Sequence, residues 1–235
     1  MKGLPMNATP GFRRVVLLAT VVAGLVTSAL PTRAQDIPGY PVAVDSFDPR
    51  EVAMLPGYCK YTQYFRQKVP GGDDANAVAD WRSVLGPTFE HIHHYCFALM
   101  KTNRAILLAR GRDVRQRYLS SSIEELDYVI GRAPQDFVLI PEILTKKGEN
   151  LIRLDKGPVG LYELMRATEL KPDYWPAYAQ MSDYYAEIGE RAKAREMLEA
   201  GLLHAPDAAA LKRRLAALDR GGKTTSRAPA TAAPN

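Results

Sequence analysis

From residue 138 to residue 218 the large apolar positions fall three, four and seven residues apart, the spacing of helices that bury one face. The pattern is punctuated by proline. Pro172 and Pro206 close two blocks of equal length, and the positions ahead of each keep step. Before Pro206 come Tyr178, Met181, Ser182 and Tyr185, then Ala194 and Leu198, with Gly189 between the two groups. Before Pro172 come Leu144, Lys147, Gly148 and Leu151, then Gly160, Leu164 and Ala167, with Gly157-Pro158 between. Each block predicts a helical hairpin: a helix, a break at Gly, a second helix, and a proline that stops it. Small residues let the helices approach, and large ones fill the space beside them.

A looser unit precedes these two. Ser122, Leu126 and Pro134 keep the same mutual spacing, but the interval from Pro134 to Pro172 is longer than that from Pro172 to Pro206. Its first helix is expected from about Pro87 to Arg110, with a turn around Gly111. Ser120 to Ser122 offers an N-cap before Ile123. After Pro206, the stretch Ala208 to Leu218 reads as a last helix with a narrow apolar side, suited to closing a stack. The expected fold is all-α.

The spacings of the Tyr178 block match the W-x2-L-G-x2-Y, A-x3-F and P positions of a tetratricopeptide repeat, with Lys147 and Gly160 departing from them in the earlier block. The interval from Pro172 to Pro206 is the period of that family. Residues 138–218 resemble it, and more loosely so does the chain from about residue 87. The resemblance implies stacked hairpins, two clear repeats and one degenerate, closed by a capping helix. It also implies a concave groove lined by the first helix of each pair. Groove positions would be Glu142, Thr145, Glu149, Ile152, Arg153, Ala179, Asp183, Ala186 and Glu187. Four of these nine are acidic. The lysine and asparagine set that clamps a peptide carboxylate in chaperone-binding members is absent at the equivalent positions. The implied ligand is a basic or mixed peptide, or a flat protein surface; the competing reading is a solvated acidic face.

Residues 1–34 have the layout of a secretory leader: Lys2, Arg13 and Arg14, an uncharged run from Val15 to Leu30, then Thr32-Arg33-Ala34 or Thr27-Ser28-Ala29 for cleavage. The alternative is an uncleaved anchor, for which the run is short. Removal takes away four cations and no acid, so the formal charge of +5 falls to about +1. The basic balance is then no argument for nucleic-acid binding. No transmembrane span is expected after removal, and the location is periplasmic or secreted. The tail from residue 219 to 235 is rich in Gly, Thr, Ala and Pro and reads as disordered.

Residues 35–80, rich in Pro and Gly, read as an irregular segment packed on the helices, with a short helix from about Pro49 to Met54. Its Tyr58-Cys59-Lys60-Tyr61-Thr62-Gln63-Tyr64-Phe65 run either packs as a lid or lines a recognition surface. The block 81–136 is expected to form the degenerate hairpin, and it holds Glu90-His91-Ile92-His93-His94-Tyr95-Cys96. Two readings stay open. An exported chain with two cysteines favours a Cys59–Cys96 disulfide, with the histidines packed around it. Alternatively His91, His93, His94 and Cys96 hold zinc, copper or haem iron, although no standard ligand spacing is present. There is no G-x-S-x-G elbow, phosphate loop or H-E-x-x-H motif, so an enzyme is not expected. The expected role is a scaffold or adaptor for a protein partner in a cell-envelope assembly or secretion system, with no cofactor. The alternative is a metal-binding or redox accessory protein.

Overall fold

The computed structural model describes residues 47–225, with side chains through Arg220. The leader at 1–34, residues 35–46 and the tail beyond Thr225 lie outside the described residues. All regular structure among the described residues is helical: α1 (Pro49–Ala53), α2 (Ala75–Leu85), α3 (Ile92–Asn103), α4 (Arg112–Ile130), α5 (Ile140–Arg153), α6 (Gly157–Leu170), α7 (Trp175–Glu187), α8 (Arg191–His204) and α9 (Ala209–Thr225). Short 3-10 turns at Gly57–Tyr61 and Gly86–His91 precede α2 and α3, and α3 ends in a π-helical turn, Arg104–Leu108. None of these helices is long and apolar enough to cross a membrane.

The helices pair in chain order: α3 on α4, α5 on α6, α7 on α8. In addition α5 packs on α7, and α7 on α9, while no comparable contact joins α6 to α8. Burial repeats along this stack. Leu144 and Tyr178, Gly148 and Ser182, Gly160 and Ala194, Leu164 and Leu198, and Ala167 and Gly201 are all buried, each pair separated by the same interval as Pro172 and Pro206. Gly148 and Gly160 show why small residues sit there. A Cβ on Gly148 would lie 2.8 Å from the Gly160 carbonyl oxygen, and one on Gly160 would lie 2.7 Å from that of Gly148. The backbones of α5 and α6 therefore cross in direct contact.

Lys147, where the repeat pattern has a large apolar residue, keeps its place by pairing. Its Nζ lies 2.7 Å from both Asp127 of α4 and Glu163 of α6, and only 16% of the side chain is exposed. The stem packs while the ammonium is neutralised. The long interval between Pro134 and Pro172 also has a cause. Nine residues, 131–139, connect α4 to α5, whereas four connect α6 to α7 and four connect α8 to α9. The extra residues are in the loop, so the helices stay in register.

Ser120–Ser122 do not cap a helix. α4 starts at Arg112, directly after Gly111 at φ 96°. Ser122 is buried in mid-helix, where its Oγ donates to the Ala98 carbonyl (2.8 Å) and contacts Thr102 Oγ1 (2.9 Å). Asn150 of α5 completes this knot, its Nδ2 donating to Thr102 (2.7 Å) and Ser122 (3.0 Å). A polar cluster so connected fixes the mutual setting of α3, α4 and α5.

The N-terminal segment is ordered by local caps and one buried ion pair. Asp48 caps α1, accepting from the Arg50 amide at 2.8 Å, with Pro49 in the first turn. Glu51 of α1 binds the Arg104 guanidinium at 2.7 and 2.8 Å, and both residues are buried. Asp74 caps α2, which begins at Ala75 and so crosses residue 80, where the sequence suggests a boundary. At the other end α9 runs past residue 218. Leu211 is buried, Leu215 and Leu218 pack beside it, and Arg195 pairs with Asp219.

Candidate functional site

Two groups of side chains carry chemistry: the histidine block on α3, and the face formed by α5 and α7.

Cys59, in the 3-10 turn, and Cys96, on α3, form a disulfide with Cα atoms 5.7 Å apart. Both are fully buried. The bridge ties the N-terminal segment to α3 and leaves no free cysteine among the described residues. The aromatic run around Cys59 divides. Phe65 is buried against Phe97, and Tyr58 is buried against Trp81, whereas Tyr64 is half exposed and lies over His93.

The three histidines go three ways. His93 is buried, and its Nδ1 has no hydrogen-bond partner. Burial, reinforced by the neighbouring His94, pushes its pKa down to about 4. His94 is held from two sides: Nδ1 donates to Glu125 Oε2 at 2.5 Å, and the ring stacks on Tyr128 at 3.6 Å. Glu125 also accepts from Lys101 at 2.6 Å, and Lys101 donates to Ser121 at 2.9 Å. Burial raises the Glu125 carboxyl, but the hydrogen bonds from Lys101 and His94 outweigh it and hold the group below its usual value. His91 lies edge-on to Tyr128. Among the described residues no three His, Cys, Asp or Glu side chains gather as a metal-ligating group. With Cys96 in the bridge, the zinc, copper or haem reading has no thiolate. The Glu125–His94 pair has the form of an oriented imidazole, but Lys101 and Tyr128 occupy its surroundings as structural partners. Nothing in the sequence announced Glu125 or Tyr128, which meet His94 from α4, or Lys101 and Ser121, which join through Glu125 and Lys101 in turn, at separations too long or too ordinary to read.

The nine groove positions do not all reach solvent. Thr145, Glu149 and Ala179 are buried, and Ile152 is half-buried against Gly160. Thr145 donates to the Pro141 carbonyl. Glu149 is enclosed by Lys146 (3.2 Å) and Arg153 (3.4 Å). Glu142 is partly exposed and accepts a hydrogen bond from Tyr95 at 2.6 Å. Burial, and after it the Glu142 carboxylate, pushes the Tyr58, Tyr95 and Tyr174 hydroxyls up, and of the three Tyr95 is bonded to that acid. Asp183 is bidentate with Arg214 of α9, at 2.9 to 3.1 Å. Ala186 and Glu187 are both exposed at the end of α7. The acidic excess expected of this face is therefore partly neutralised from within.

No protein-family model, no curated protein and no solved structure matches this chain.

Proposed function

We propose that this chain is an exported scaffold of the tetratricopeptide type, holding a protein partner in a cell-envelope assembly. The observation that carries the reading is the packing order of the helices. α5, α7 and α9 touch in series, while α6 and α8 make no comparable contact, as expected when the first helices form the inner layer of a curved stack. Glycines or small residues at equivalent positions of the α5–α6 and α7–α8 crossings agree with that architecture. The disulfide suits an oxidising compartment, as an exported chain requires.

On this reading the partner contacts the inner face at Glu142, Arg153, Asp183, Ala186 and Glu187, the groove positions that retain exposure. Crosslinking in intact cells, followed by pull-down from the envelope, tests it. The native chain should recover a discrete partner, and a chain carrying Ala186→Arg and Glu187→Lys should lose it with folding unchanged. A bait that comes down alone, or variants that recover the same partner at the same level, would sink the scaffold reading. No catalytic role is assigned.

A further inference from the structure

Three aliphatic side chains stand in a row in solvent where α3 turns into α4. Ile106, Leu107 and Leu108 are exposed at 49%, 59% and 39%. Their orientation has a cause. Arg104 and Ala105, which open the π-helical turn, are buried, and Arg104 is bonded to Glu51. With that side of the turn anchored inward, the wide π turn directs the next three residues outward. Gly111 then reverses the chain into α4. Single exposed aliphatics are ordinary, but three in succession on one tip are not.

The charge beside them is one-sided. Arg110, Arg112, Arg115 and Arg117 follow within nine residues of Leu108, and all are exposed. Among the described residues Arg110, Arg115 and Arg117 form no ion pair. Arg112 reaches Asp155 at 3.1 Å, but both side chains are more than three-quarters exposed. Asp113 is the only acid between Arg104 and Tyr118. The Asp155 contact brings the α5–α6 turn alongside, with Lys156 exposed in it.

Exposed aliphatics flanked by unpaired guanidiniums match the interface of an anionic bilayer. There the side chains enter the acyl boundary, while the cations stay at the phosphates. The patch is a projecting turn rather than a groove, which suits a deformable surface better than a preformed pocket. We propose that Ile106, Leu107 and Leu108, with Arg110, Arg112, Arg115 and Arg117, dock this domain on an anionic phospholipid surface. The contact is reversible and weakened by salt. It is independent of the inner face of the stack.

The test places an environment-sensitive nitrobenzoxadiazole dye on the full chain at Leu107→Cys and, as a control, at Val138→Cys, a residue 60% exposed in the α4–α5 loop. Labelling is specific because both native cysteines are in the disulfide. Vesicles of phosphatidylcholine with phosphatidylglycerol should brighten and blue-shift the dye at 107 and leave the dye at 138 unchanged. Pure phosphatidylcholine should do much less. Removing Arg110, Arg115 and Arg117 together, each to Ser, should raise the lipid concentration at half-response about a hundred-fold, from about five-fold per cation. Ile106→Ser with Leu108→Ser should weaken the response at least about ten-fold, by the apolar area lost. Helical circular dichroism checks that each variant is folded. No response at 107, equal responses at 107 and 138, or a response at 107 to polyglutamate in place of vesicles would each overturn the proposal; the last would point to an acidic protein.

Discussion

His93 is a buried imidazole with an unpartnered nitrogen, and it makes the protein sensitive to mild acid. Its pKa falls from the ordinary value near 6.5 to about 4 on folding. Between those values the unfolded chain binds the extra proton and the folded one does not. Stability therefore declines as pH falls from about 6.5 to about 4, and is flat in this respect below. Glu125, depressed by Lys101 and His94, adds to the decline as the carboxylate range is entered. We expect His93→Phe to reduce the loss of urea midpoint between pH 7 and pH 5 without abolishing it. Equal losses in the two proteins would count against this account. The sequence made the histidines conspicuous but not their roles. Three of them within four residues left packing around the disulfide and metal ligation both open, whereas their contacts depend on Tyr64 from one side and on Glu125 and Tyr128 from another. Those contacts are decided by tertiary packing, which no local spacing encodes.

At the scale of the helices, the tightest constraint is the crossing of α5 over α6. Gly148→Ala puts a methyl 2.8 Å from the Gly160 carbonyl oxygen and 2.8 Å from Leu164 Cγ. The backbone oxygen cannot move aside as a side chain would, so the helices must separate. A cost of about 1–3 kcal/mol is expected, despite the better helix propensity of alanine. Chemical denaturation measures it, and a variant as stable as the native chain would show that the crossing is looser than described. This crossing was legible in part, because Gly148 stands at a small position of the repeating frame; Gly160 departs from that frame, and its contact with the Gly148 carbonyl explains why it does. The start of α4 was not. The serines at 120–122 imitate a cap, but they are drawn into the helix because Ser122 has better partners in Ala98 and Thr102. Lys147 was equally opaque, since Asp127 and Glu163 come from helices on either side of it.

Across the whole molecule the bridge between Cys59 and Cys96 is the one covalent long-range link among the described residues, closing a loop of 37 residues. Loop entropy assigns it about 3–4 kcal/mol before any native strain is subtracted. Unfolding with and without reductant should differ by that order, and Cys59→Ser/Cys96→Ser should match the reduced protein. A reduced protein as stable as the oxidised one would mean that the Glu51–Arg104 pair and the Phe65 packing hold the segment unaided. The two cysteines together with the leader pattern favoured this pairing over a metal site at Cys96. The buried pair Glu51–Arg104 was not readable, because 53 residues separate its members.

The same two attachments give the stack a direction. At its beginning α1 and the 3-10 turn are fastened to α3 by a covalent bond and a buried ion pair. At its end α9 rests on α7 and α8 through Leu211, Leu215 and Leu218, with exposed polar contacts from Asp183, Arg191 and Arg195 beside them. On the proposed repeat architecture stability passes only between neighbours, so the stack should open like a zip with one fixed end. Under tension or in mild denaturant the helices should peel away in reverse chain order. Amide exchange would record that order: fastest in α9, slower in α7 and α8, slowest in α3, α4 and α5 around Asn150. If the proposed partner sits on the face of α5 and α7, it would act as a clasp at the free end, stabilising α9 most although it touches the helices before it.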